Sequence, residues 1–134
     1  MAKRCPEDLV VSRISRGFHP RRESRLGLGC GDDAALWRPK FGFETVLTSD
    51  WFLEGSHFLR DKHPADSVGW KCLARAASDI AAMGGEARCF LLNLAIPASH
   101  TGRWLDTFLG GSDGRPSSCV VQWPEGTRRG ASGF

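Results

Sequence analysis

The stretch between Asp66 and Pro97 constrains this chain more than any other. Asp66 and Ser67 can cap a helix. Trp70, Leu73, Ala74, Ala77, Ile80 and Ala81 then recur at helical spacing as far as Met83, and Gly84-Gly85 supplies a C-terminal stop. Directly behind it, residues 89–96 form an almost unbroken apolar run of strand length, closed by Pro97. So little alternation is what a strand buried on both faces requires. The centre of the chain is therefore read as a long helix feeding a buried strand.

The flanks are weaker. Residues 7–18 keep Leu9, Val10, Ile14 and Phe18 on one face of a short helix that ends at His19-Pro20. An arginine-rich connection leads into residues 26–33, too rich in glycine for regular structure and read as a loop. Residues 34–37 and 44–48 have the length and composition of strands, and the turn at 39–42 between them predicts an antiparallel pair. Residues 51–58 mix bulky apolar groups with Gly55 and read as a loop held down by its aromatics. A second helix is expected near Thr101, carrying Trp104, Leu105 and Phe108.

Composition narrows the class. A 134-residue chain with 41% hydrophobic and 25% charged residues is ordinary for one folded domain or part of a larger one. The net charge of +3 is spread out apart from Arg21, Arg22 and Arg25 and the pair Arg128 and Arg129. A nucleic-acid binder would carry a denser basic stripe with interleaved aromatics, so no nucleic-acid partner is expected. Five cysteines, an odd number with no C-x-x-C pair, read as reduced cytosolic thiols. No window has the apolar length of a signal or a membrane span, and a cytoplasmic location follows as the expectation.

Three carboxylate positions could carry chemistry. Asp32-Asp33 follows a glycine loop, Asp50 follows Thr48 and Ser49, and Asp79 lies beside Ser78 among alanines inside the main helix. Mg²⁺ in phosphate sites takes a few carboxylates or hydroxyls and completes its shell with water and phosphate oxygens. The same residues also make ordinary turns and caps, and Asp79 can equally sit on a solvated helix face. His57, in the aromatic loop, is by residue type as readily a packed histidine as a functional one. No G-x-x-x-x-G-K-[ST] is present, so a P-loop is excluded and a nucleotide would have to be held through metal.

In order along the chain, Gly31-Asp32-Asp33-Ala34-Ala35, then Thr48-Ser49-Asp50 with Glu54-Gly55-Ser56-His57-Phe58, then Ser78-Asp79-Ile80-Ala81-Ala82-Met83-Gly84, closely resemble three successive signatures of thiamine-monophosphate kinases. These enzymes belong to the superfamily of aminoimidazole-ribonucleotide synthetase. The resemblance covers residues 7–109. It implies an α/β (α+β) fold, the N-terminal domain of the aminoimidazole-ribonucleotide synthetase-like type, with a mixed sheet, helices on one side and strands that pair across a homodimer. It implies ATP-dependent phosphorylation of thiamine monophosphate to thiamine diphosphate with Mg²⁺. Carried over by position, Asp33, Thr48, Ser49, Asp50 and Asp79 would be metal ligands and His57 would contact substrate, with Asp32 the less certain of its pair. Metal-assisted positioning of two anionic reactants needs no nucleophilic side chain.

The resemblance ends at Leu109. The family continues with an (A/G)-G-D-T motif for ATP and metal and with a C-terminal domain. Residues 110–134 open instead on the breaker cluster at 110–118 and show no period beyond a short Cys-Val-Val. The expected organisation is thus an incomplete kinase N-terminal domain at 1–109 and a non-homologous, poorly ordered tail at 110–134. The corresponding chain is expected to be inactive alone; a non-catalytic dimerisation or nucleotide-binding module, or a fragment of another superfamily member, is the alternative. Rereading codons 121–130 from their third bases, with synonymous choices, can give Ser-Met-Ala-Gly-Gly-Asp-Thr-Ala-Arg, which contains the missing motif. The tail is therefore expected to arise from a frameshift near Gly110 or Gly111. Sequencing the DNA beyond codon 110 checks this: the shifted frame should encode the family's downstream domain, and a shifted frame without it would refute the idea.

Overall fold

Three helices and four short strands make up the described residues of a computed structural model, which cover 6–17, 26–28, 34–112 and 119–122. In chain order these are α1 (Pro6–Gly17), β1 (Leu26–Leu28), β2 (Leu36–Trp37), α2 (Ala65–Ala82), β3 (Phe90–Asn93), a 3₁₀ turn (Ala98–His100), α3 (Arg103–Gly111) and β4 (Cys119–Gln122). Helix and strand are mixed, as expected. The strands form two separate pairs, β1 with β2 antiparallel and β3 with β4 parallel.

The main helix starts and stops where its local chemistry dictates. Pro64 precedes it with extended backbone, and its carbonyl accepts the Val68 N–H at 3.0 Å. Asp66, expected as the cap, accepts instead the N–H of the adjacent Ser67 at 2.8 Å. At the other end Gly84 takes φ +70°, its N–H reaches the Ala81 carbonyl and the Gly85 N–H reaches Ile80, both at 2.9 Å. This paired arrangement satisfies the last carbonyls of a helix and needs a residue without Cβ at its left-handed position.

The buried side of α2 differs from the face expected from periodicity. Val68 is 2% exposed and Gly69 is buried beside it, whereas Trp70 is 52% exposed. The reason lies in α3. A Cβ on Gly69 would collide with the Phe108 carbonyl, and a Cβ on Gly111 would collide with the Asp66 carbonyl. The two helices therefore cross backbone against backbone, and Ser112, itself buried, donates from its hydroxyl to the Gly69 carbonyl at 3.3 Å. Around this crossing Val10 and Ile14 of α1, Phe58, Val68, Leu94, and Leu105, Phe108 and Leu109 of α3 form the core. An ion pair between Arg13 and Asp106 ties α1 to α3 at the surface.

Two strand expectations are corrected. Residues 44–48 join no ladder among the described residues; Val46 and Leu47 are exposed, and β2 pairs with Leu26–Leu28, part of the segment read as a loop. The turn before them is present, with the Phe43 N–H on the Lys40 carbonyl at 3.0 Å and Gly42 at φ +81°. The apolar run at 89–96 is not buried on both faces. Phe90 and Leu92 pack against the core, while Leu91 is 63% exposed. Beyond Leu109, Gly110 and Gly111 complete α3 and residues 119–122 form β4; Phe18 and residues 113–118 and 123–134 lie outside the described residues.

The glycine crossing makes a direct prediction. Gly69→Ala and Gly111→Ala should each destabilise the protein by about 1–3 kcal/mol, the usual cost of overpacking, or more because the colliding atoms are backbone. Gly110→Ala, on the same helix but facing open space, should be neutral or slightly stabilising. Urea unfolding of the three variants measures the contrast.

Candidate functional site

One stripe of α2 organises the candidate residues. Lys71, Arg75 and Asp79 follow one another at intervals of four, so they lie along a single helical face. Each reaches the segment at 48–57. Thr48 donates from Oγ1 to Asp79 Oδ2 at 2.9 Å. Arg75 Nε lies 3.4 Å from Asp50 Oδ2. Lys71 Nζ donates to the His57 carbonyl at 2.8 Å.

The Asp50 carboxylate is more enclosed than its partner, with its side chain 25% exposed against 48% for Arg75. Its field reaches Cys72, whose thiol is pushed above its ordinary value by burial first and by the Asp50 charge second. Burial also pushes up Cys89. Neither thiol is therefore primed as a nucleophile.

The aromatic loop is ordered as expected, and the contacts explain how. Gly55 takes φ +84° and its N–H closes on the Phe58 carbonyl at 2.8 Å. Phe52 stacks on both His57 and Phe58 at 5.5 Å between ring centres. Phe58 continues to Trp104 at 6.4 Å, and Trp104 to Phe108 at 5.3 Å, so the stack runs into the core through α3. His57 Nδ1 accepts the Leu53 N–H at 3.0 Å. In the neutral ring the proton then sits on Nε2, which is left as the donor.

Of the residues picked from sequence, the fold brings Thr48 and Asp79 into contact and holds Asp50 against the same helix through Arg75. Ser49, between them, is exposed. His57 lies at the Lys71 end of the stripe, apart from the Thr48–Asp79 pair. Asp33, with Gly31 and Asp32, lies outside the described residues. Among the described residues no three or more His, Cys, Asp or Glu side chains converge as a metal cluster. The donors present are hard oxygens, two carboxylates and a hydroxyl, which is the chemistry a Mg²⁺–phosphate site uses.

Sequence reasoning missed Lys71, Arg75 and His100. The first two carried a signal, the four-residue spacing to Asp79. His100 carried none: it is 3% exposed, with Nδ1 2.9 Å from the Ser99 hydroxyl and its ring edge-on to Trp104. Its Nε2 makes no hydrogen bond among the described residues and lies 3.9 Å from Glu54 Oε2.

Residues 31–115 match the AIR synthase related protein, N-terminal domain. The chain belongs to this family. Within it, the chain is 38% identical over 94 residues to the thiamine-monophosphate kinase of Bacillus subtilis, covering 70% of this chain and 28% of that protein. It is 39% identical over 93 residues to that of Synechococcus elongatus, covering 69% and 27%. Against that of Escherichia coli K12 it is 39% identical over 99 residues, covering 72% and 30%. The resemblance to thiamine-monophosphate kinases is thus borne out for an N-terminal portion; the matches span less than a third of each of these relatives. No solved structure matches.

The placement of Asp50 beside Cys72 can be tested by alkylation. The thiolate is the reactive form, so a raised pKa leaves less of it at pH 8, and Cys72 should react with iodoacetamide more slowly than a free thiol and speed up only at higher pH. Asp50→Asn removes the repelling charge and should accelerate Cys72 but not Cys89. Peptide-resolved mass spectrometry measures both; an unchanged Cys72 rate would contradict the placement.

Proposed function

We propose that this domain serves the ATP-dependent phosphorylation of thiamine monophosphate to thiamine diphosphate, with Mg²⁺, in the cytoplasm. The reading is supported by the names of the relatives and, within this chain, by one observation above the others. The Thr48–Asp79 hydrogen bond joins two of the three motifs, 31 residues apart in sequence, through atoms suited to a hard cation. Asp33, Thr48, Ser49, Asp50 and Asp79 are the proposed metal ligands. His57 is the proposed substrate contact, its Nε2–H free to donate because Nδ1 is engaged by Leu53. Mg²⁺ bound at these oxygens would offset phosphate charge and favour in-line transfer.

The residues themselves do the positioning. Asp79, fixed on a helix, orients the Thr48 hydroxyl, and Lys71 holds the backbone of the His57 loop from the same helix. We place these elements in the family's mixed sheet with helices on one side. Exposed apolar groups, Leu47 at 85%, Trp51 at 79% and Leu91 at 63%, support the proposal of a homodimer that covers them.

Because the chain matches 27–30% of the relatives quoted above, we propose that it does not turn over substrate by itself. A coupled ATP-consumption assay with thiamine monophosphate should then show no activity for the purified 134-residue chain, and robust turnover would refute this. Calorimetry should still detect Mg²⁺, with Asp79→Asn weakening it about 10- to 100-fold, in keeping with the loss of a charged partner worth about 1.5–3 kcal/mol. Equal Mg²⁺ affinity in wild type and variant would remove the ligand role from Asp79.

A further inference from the structure

We infer that Arg75 is a positioning residue that holds the Asp50 carboxylate in place and competes with a divalent cation for it. The inference rests on the proposed reading of Asp50 as a metal ligand. The Asp50 side chain is 25% exposed and has one cation at ion-pair distance among the described residues. Arg75 supplies that cation from the α2 stripe, where Lys71 is committed to the His57 carbonyl and Asp79 to Thr48.

The contact has the form of a placeholder. It runs from Nε to one oxygen at 3.4 Å, without the paired fork that makes arginine–carboxylate contacts strong, and it leaves Oδ1 out of the pair. Half of the Arg75 side chain is open to solvent, so the guanidinium can turn outward without crossing packed core. A dication arriving at Asp50 must either displace this group or bind beside it. Both routes cost affinity, and Asp50 stays directed towards the site in the meantime.

The test uses the full 134-residue chain and Mn²⁺ as probe, with free Mn²⁺ followed by electron paramagnetic resonance. Wild type, Arg75→Met, Arg75→Gln, Arg75→Lys and Asp50→Asn are titrated in parallel. A +2 and a +1 charge about 6 Å apart in a water-like dielectric repel enough to change affinity about tenfold. Arg75→Met and Arg75→Gln should therefore bind Mn²⁺ about tenfold more tightly than wild type, and Arg75→Lys, which keeps the charge, should match wild type. A merely structural role would loosen the segment at 48–57 and weaken binding in the neutral variants. Unchanged or weaker binding there, with binding lost in Asp50→Asn, overturns the inference and leaves the metal reading standing. Wild-type affinity in Asp50→Asn would overturn the metal reading, and the inference with it.

Discussion

The backbone contact between α2 and α3 at Gly69 and Gly111 is the constraint on which the other features depend. Helices with side chains at their crossing keep their axes roughly 8–10 Å apart. Here each helix puts a glycine against a carbonyl of the other, and a single methyl at either position has no room. Close approach lets Val68 reach Leu105, Phe108 and Leu109 as one cluster with α1 packed on its far side. The buried Ser112 hydroxyl adds a directional bond across the same crossing. Packing density alone could tolerate slippage along the helices, whereas two glycine notches and a hydrogen bond define one register.

The candidate site inherits its precision from that register. Its polar contacts are half-exposed and individually weak, since surface ion pairs are worth about 0–1 kcal/mol. What makes them specific is that Lys71, Arg75 and Asp79 occupy one stripe of a rigid helix and meet three partners in order along a single segment. A cation meets a carbonyl, a cation meets a carboxylate, and a carboxylate meets a hydroxyl. Residues 48–53 join no ladder among the described residues, and Thr48 and Asp50 take their direction from this stripe.

How much of this was legible in the sequence follows from how local each signal is. The long helix, its double-glycine stop and the helix carrying Leu105 and Phe108 were readable because their causes lie within a few residues. The burial of Gly69 in place of Trp70 was not, because periodicity weighs side-chain hydrophobicity and is blind to a position chosen for having no side chain. The strand at residues 44–48 failed for a related reason. Its residue types suit a sheet, but pairing is decided by distant partners, and β2 pairs backward with Leu26–Leu28. At the site, composition left Asp50 undecided between ligand and cap and Asp79 between ligand and solvated helix face; the order of the three motifs carried their assignment. The stripe that includes Arg75 was written in the spacing, but it acquires meaning only once the partner segment is placed against it.

The two halves of the candidate site are held by different helices, and that gives the glycine crossing a functional weight beyond stability. Thr48 and Asp50 are tied to α2 through Asp79 and Arg75. The His57 loop also touches α2 through Lys71, but its apolar anchorage runs through Phe52, Phe58 and Trp104 to Phe108 of α3, the residue whose carbonyl faces Gly69. Displacing α3 from α2 would therefore pull the aromatic stack one way while the oxygen donors stayed with α2. Phosphoryl-transfer sites depend on positioning within fractions of an ångström. A fold that hangs the proposed substrate contact on one helix and the proposed metal ligands on the other needs the distance between those helices fixed by something stiffer than side chains, and backbone against backbone at Gly69 and Gly111 is the stiffest contact the chain has between them.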